Sequence, residues 1–135
     1  MSGVAERRRA SSGSPFEASI GFSRAVRVGN RILVSGTAPI EADGSSTVGD
    51  AGVQTTRCLQ VIVAAVEELG GTVDDIVRTR VFLLDAAEAG LIGAAHGAVF
   101  GEIRPASSMI IVAGLLRPEW RLEIEAEALV GHEEA

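Results

Sequence analysis

The chain has 135 residues, 47% hydrophobic and 22% charged, which is one soluble globular domain's worth of sequence with apolar content for a single core. A formal net charge of −6 lacks the basic footprint that nucleic-acid binding requires. The single cysteine, Cys58, excludes an intrachain disulfide and fits a reducing, cytoplasmic setting. No run approaches the ~20 apolar residues of a membrane helix.

Arg7, Arg8 and Arg9 precede Ser-Ser-Gly-Ser-Pro with no apolar stretch after them, so the start of the chain does not read as a secretory signal. Its polar, Gly/Ser-rich composition predicts a disordered N-terminal tail over residues 1 to 15, followed by one domain over residues 16 to 131. The arginines before Ser11 and Ser12 also fit a basophilic kinase acceptor. Residues 25 to 28 and 31 to 35 are strand-like runs separated by Gly29-Asn30, a tight-hairpin signal. Gly36 and Pro39 close the second run, and residues 41 to 49 form a polar loop.

Asp50 is an N-cap candidate for a helix whose Leu59, Ile62, Val66 and Leu69 recur at helical spacing. Gly70-Gly71 supplies its C-terminal stop. A strand follows over residues 76 to 84, with Val77, Thr79, Val81 and Leu83 on one side. A second helix over residues 86 to 100 carries Leu91, Ala95 and Ala98 on one stripe. Its Gly90, Gly93 and Gly97 each cost roughly 1 kcal/mol relative to alanine, so close packing must favour small residues there. Residues 109 to 113 form a continuous apolar run, the mark of a strand covered on both faces. Residues 121 to 130 alternate cleanly, Leu122, Ile124, Ala126, Ala128 and Val130 against Glu123, Glu125 and Glu127.

The order is β-β-α-β-α-β-β, an α/β (α+β) single domain with two helices on one face of a mixed sheet. Two helices cover only one face. A strand buried on both sides therefore needs another subunit, which points to an obligate oligomer.

Several segments together resemble one family. They are Phe22-Ser23-Arg24-Ala25-Val26, Val34-Ser35-Gly36, the helix ending at Gly70-Gly71, Asp75-Ile76-Val77-Arg78-Thr79-Arg80-Val81-Phe82-Leu83, Phe100-Gly101-Glu102 with Arg104-Pro105-Ala106-Ser107-Ser108, and Leu122-Glu123-Ile124-Glu125-Ala126. In this order and spacing, over about residues 20 to 130, they are similar to the RidA (YjgF) family of enamine/imine deaminases, also known as endoribonuclease L-PSP-like proteins. The resemblance implies a chorismate-mutase-like fold, a homotrimer with its sheets facing inward, and small-molecule clefts between subunits. No cofactor and no metal are expected, and the acidic charge and the lack of a long apolar run argue against nucleic-acid and membrane partners.

The resemblance also places site residues. Ser107 stands where the family has a carboxylate-gripping arginine, Phe22 where it has a tyrosine, Gly93 where it often has an asparagine, and Met109 where it commonly has a cysteine. Glu123 matches the acidic residue that positions water and is the catalytic candidate. The backbone at Ser35 and Gly36 matches a cleft-lining segment. An arginine forks onto a carboxylate with two charge-assisted bonds, whereas serine offers one neutral donor. The implied cleft is more apolar than the family's usual one, and Arg24 or Arg104 is the candidate replacement cation.

Other residues read more blandly. Ser107 has no Gly-x-Ser-x-Gly context and no evident base, which argues against a nucleophile. His96 and His132 make no metal-ligand spacing. Cys58 reads as a packed small hydrophobe, and Trp120 as a residue that packs at the rim of a subunit interface or lines a cleft. The residues leave two functions open: a hydrolase releasing ammonia from an enamine or imine with an altered substrate, or a trimer that binds a small metabolite without chemistry. A protein-interaction role through the N-terminal segment is a third.

Overall fold

The computed structural model describes residues 3–135. In chain order the elements are strand β1 (Arg7–Ala10), helix α1 (Pro15–Ile20), strands β2 (Ala25–Val28) and β3 (Arg31–Thr37), helix α2 (Ala51–Glu68), strand β4 (Ile76–Leu83), helix α3 (Ala89–Phe100), and strands β5 (Ala106–Ile111) and β6 (Leu122–Leu129). The six strands make one sheet in the order β1-β2-β3-β6-β4-β5. Every neighbouring pair is antiparallel except β4 and β5, so the sheet is mixed. Helix α2 packs on β3 and β6 and on α3, which gives a two-layer α+β domain.

The hairpin between β2 and β3 forms at Gly29, whose φ of 61° only glycine adopts without strain. Asp50 caps α2 by accepting from the Val53 amide. At the other end of α2, Arg27 and Arg8 both donate to the Leu69 carbonyl, at 2.7 and 2.9 Å. Two cations thus meet the negative end of the helix dipole. Leu59, Ile62, Val66 and Leu69 are all buried, as their spacing requires, and they meet Ile32, Val34, Leu122, Ile124 and Ala128 of the sheet.

Four expectations change. Residues 7 to 10 are not an unstructured tail. They pair with β2 from Arg7 opposite Val28 to Ala10 opposite Ala25, and Ala10 enters the core. Composition does not register a strand whose stability comes from a partner strand 15 or more residues away. On β4 a register shift between Ile76 and Arg78 puts Ile76, not Val77, on the buried side with Thr79, Val81 and Leu83. On α3 the buried residues are Ile92 and Phe100, whereas Leu91 is 49% exposed and Ala98 is also exposed. The stripe rotates so that Ile92 and Phe100, the latter the largest side chain of the helix, reach the core.

The fourth concerns β5. Within one chain it is an edge strand with every residue exposed, including Met109 at 44% and Ile111 at 60%. The double burial expected from its apolar run is not met inside the chain. An apolar edge strand left open in this way is the kind of surface that soluble proteins normally cover.

Candidate functional site

The site begins at an irregularity in β3. Val34 lies opposite Ala126 and Thr37 opposite Ile124, so three residue steps on β3 face two on β6. That extra residue is a bulge, a device that re-aims side chains and carbonyls out of a ladder. Here it turns the Gly36 carbonyl toward Arg24, which donates to it from Nη1 at 2.8 Å and to Thr37 Oγ1 at 3.1 Å. On its other side Gly36 lies against Glu123. A Cβ added to Gly36 would sit 3.2 Å from Glu123 Oε1, so the glycine gives the carboxylate its space.

Glu123 projects from β6 opposite Phe82 of β4. Burial raises its pKa from the ordinary carboxylate value, and the Arg24 charge offsets part of that rise. Arg24 is buried too, with its Nε 3.4 Å from Glu17 Oε2 of α1. Burial lowers the guanidinium's pKa, while Glu17 and Glu123 counter that as the neighbouring anions. Glu17 in turn accepts from Ser11 Oγ at 2.8 Å and from Ser12 Oγ at 2.5 Å. A line of alternating charge therefore runs from the N-terminal segment through Glu17 and Arg24 to Glu123.

Arg24 and Glu123 open onto a cleft of about 700 Å³, counting its mouth. Phe22, Arg24, Gly36 and Glu123 all line it. Its apolar walls are Phe16, Ile20, Leu116 and Trp120. Trp120 is 2% exposed, meets Phe16 edge-on at 6.1 Å, and donates from Nε1 to Ser46 Oγ at 2.9 Å. Its packing is thus inside the chain rather than at an exposed rim. Arg57 completes the lining, held by a bond from Nε to the Ile40 carbonyl at 2.8 Å. Sequence reading missed Phe16, Glu17 and Arg57. Ser14-Pro15 was the available signal for α1, because serine at the N-cap with proline at the first helical position is a helix start.

The remaining candidates lie elsewhere. Ser35 donates from Oγ to the Ser23 carbonyl at 2.7 Å and faces a separate, more open depression that Phe22 also lines. Ser107 pairs with Thr79, and Met109 with Val81, on the side of the sheet where Ala126 and Ile124 are buried. Thr79 Oγ1 donates to Ser107 Oγ at 2.8 Å and lies 2.8 Å from His96 Nε2. Burial lowers the His96 pKa, and its ring stacks at 4.6 Å on Phe100. Gly93 sits beside Met109, whose Cε would be 3.9 Å from an added Cβ. Ser107, Met109 and Gly93 therefore form a second cluster around Thr79 and His96, and do not join Glu123 within one chain. Arg104 is exposed, with φ 54°, and lies in neither place. Cys58 is fully buried and its thiol is pushed up from its ordinary pKa by desolvation, which leaves it unreactive. Among the described residues no group of three or more His, Cys, Asp or Glu is placed to hold a metal, and no helix is long and apolar enough to cross a membrane.

The family model for endoribonuclease L-PSP matches residues 13–130. The chain belongs to that family, which includes the YjgF and RidA proteins. It is 36% identical to an uncharacterized protein of Streptomyces coelicolor over 92% of each chain. It is 34% identical to a RutC family protein of Pyrococcus abyssi, over 79% of this chain and 84% of that one. Among solved structures, a YjgF/YER057c/UK114 family member from Mycobacterium tuberculosis matches with a TM-score of 0.85 and 39% identity, over 93% of this chain and 100% of that one. The yjgF gene product of E. coli matches with a TM-score of 0.79 and 34% identity, over 90% and 97%. The family fold accounts for the single α+β domain and its mixed sheet.

Proposed function

We propose that the protein is a small-molecule hydrolase of the L-PSP family that releases ammonia from a reactive enamine or imine, with Glu123 as its general base. The observation that carries this reading is Glu123 itself, a partly buried carboxylate in an apolar cleft with its pKa raised by burial. A raised pKa makes a carboxylate a better base near neutral pH. In the step, Glu123 takes one proton from water as the water oxygen bonds to the imine carbon, and passes it to the imine nitrogen to give the carbinolamine. Glu123 then takes the carbinolamine hydroxyl proton and delivers it to nitrogen as the C–N bond breaks, so ammonia leaves and the C=O of the product forms. Every group the step needs is on the chain or is solvent.

The substrate differs from a 2-imino acid gripped by an arginine fork. Among the described residues Arg24 is the cation acting on Glu123, and Glu17, the Gly36 carbonyl and Thr37 already engage it. The aromatic and aliphatic walls favour a substrate with an apolar body and a small polar head. We place the working form as a cytoplasmic homotrimer. The open β5 edge, with Met109, Ile110 and Ile111, supplies the apolar surface that a second and third copy would cover. In that assembly Ser107, Met109 and Gly93 would line the subunit boundary.

Ammonia release from freshly generated imines, one carrying a carboxylate and one not, tests the reaction. Release above buffer that falls in Glu123→Gln supports it, and no release above buffer from either rejects it. The second reading, a trimer that holds a metabolite without chemistry, is favoured by the engagement of Arg24. It is met if a metabolite raises the melting temperature while no imine is turned over.

A further inference from the structure

We propose that Ser11 and Ser12 form a phosphorylation site that controls the α1 wall of the cleft. The acceptor pattern is Arg7-Arg8-Arg9-Ala10-Ser11-Ser12, and protein kinases that select by charge read arginines shortly before the acceptor. Both serines are exposed and lie in the irregular segment between β1 and α1. The three arginines lie on the edge strand β1, and each is exposed.

What distinguishes these serines is the group they hold. Ser11 and Ser12 both donate to the Glu17 carboxylate, and the Ser12 amide adds contacts of 3.3 Å to each of its oxygens. Glu17 is 6% exposed and, among the described residues, is the carboxylate ion-paired with Arg24. Ser12 also lines the cleft itself and a neighbouring depression that it shares with Arg24 and Arg57. The serines are therefore the outer link of the charge line that ends at Glu123.

The chemistry is phosphoryl transfer from ATP, supplied with a basophilic kinase. The serine oxygen bonds to the γ-phosphorus, the bond to the β-phosphate oxygen breaks to release ADP, and the hydroxyl proton passes to the kinase's base. The product carries about −1.5 to −2 charge at neutral pH. It no longer has the hydroxyl hydrogen it gave to Glu17, and it sets a dianion against a buried carboxylate. Arg24 and Arg57 are then drawn toward the phosphate. Helix α1 has six residues and cannot persist alone, so it stays only while Glu17 and Phe16 are seated. Modification releases it, and the cleft loses the wall built by Ser12, Gly13, Ser14, Phe16 and Ile20.

The inference stands apart from the reaction proposed for Glu123, because Trp120 reports on it directly. Trp120 is the chain's one tryptophan, and Phe16 of α1 packs on it. The full chain is incubated with ATP and a purified protein kinase selective for arginines two and three residues before serine. Intact mass counts the phosphoryl groups, fragmentation places them, and the S11A/S12A double variant is the control. If that variant does not fold, S11A and S12A singly replace it. The expected result is incorporation at Ser11 or Ser12, red-shifted Trp120 emission, and amide exchange over residues 13 to 22 faster by about tenfold or more. No incorporation, incorporation only at Ser14, Ser19 or elsewhere, or incorporation with Trp120 emission and exchange unchanged would overturn it.

Discussion

Glu17 and Arg24 lie 3.4 Å apart, carboxylate to Nε, each with its side chain 7% exposed. The Arg24 Nε finds no well-aligned hydrogen bond, so the pair acts through charge proximity while Ser11, Ser12, Gly36 and Thr37 satisfy the rest. A buried charge left without its counter-charge is costly, more so than the intact pair is stabilising. Glu17→Ala is expected to lower unfolding free energy by about 3 kcal/mol, read from urea denaturation at constant slope. A loss under about 0.5 kcal/mol would show that Arg24 is solvated in solution.

The same contact sets an acid limit. Burial alone would raise the Glu17 pKa, but the bonds from Ser12 and Ser11 and the Arg24 charge outweigh it and hold the carboxyl below its ordinary value. A folded-state pKa below the unfolded one gives stability that is present above the ordinary glutamate value, about 4.3, and lost as pH falls through the folded value. Trp120 emission should therefore be flat from neutral pH to about 5 and shift red only in more acid solution. A red shift already between about pH 6 and 7 would mean that Glu17 is not the group responsible.

Glu123 runs the other way. Its pKa is raised in the folded state, so the folded protein prefers it protonated and stability is lost as pH rises past the ordinary carboxylate value. Glu123→Gln is expected to raise the melting temperature at neutral pH, by less than about 1 kcal/mol in free energy because the group is partly solvated. The gain should vanish below about pH 4, where the wild-type carboxyl is itself protonated. Equal melting temperatures at all pH values would argue that Glu123 is freely hydrated. A gain in stability with a loss of activity is the pattern expected of a group kept for function.

Much of this molecule is legible in its sequence, for reasons that differ by element. Helix α2 and strand β6 announce themselves because each buries one face, and burial imposes a period of 3.6 or 2. Phe22, Arg24, Gly36 and Glu123, all expected at one cleft, line the same cavity of the chain. Ser107, Met109 and Gly93 lie apart from it within one chain. Pairing of β5 with β4 puts Ser107 opposite Thr79, whereas Glu123 is opposite Phe82, and an odd offset along a strand reverses the face. Aligned positions carry no information on which copy in an assembly supplies each side chain. Strand β1 and helix α1 were hidden because neither has a period, and their stability comes from β2, Trp120 and Arg24 instead.

The Thr79 hydroxyl joins Ser107 to His96 across two elements, and Thr79 has no exposure of its own. Thr79→Val keeps the shape and removes both bonds, which leaves the half-buried His96 Nε2 without its partner. The expected cost is about 1–3 kcal/mol in chemical denaturation. Thr79→Ser should recover most of it. If the valine variant were as stable as wild type, water must replace the hydroxyl at His96.

The central claim is that Glu123, in the space Gly36 leaves for it beside Arg24, does acid–base work on a small substrate. The most direct measurement is the initial rate of ammonia release from a freshly generated imine, with wild-type protein and Glu123→Gln compared at equal concentration. Loss of a general base is expected to cost about 10²–10⁴-fold, with the variant folded by its melting curve. Wild-type release no faster than buffer, or a variant as fast as wild type, would contradict the account.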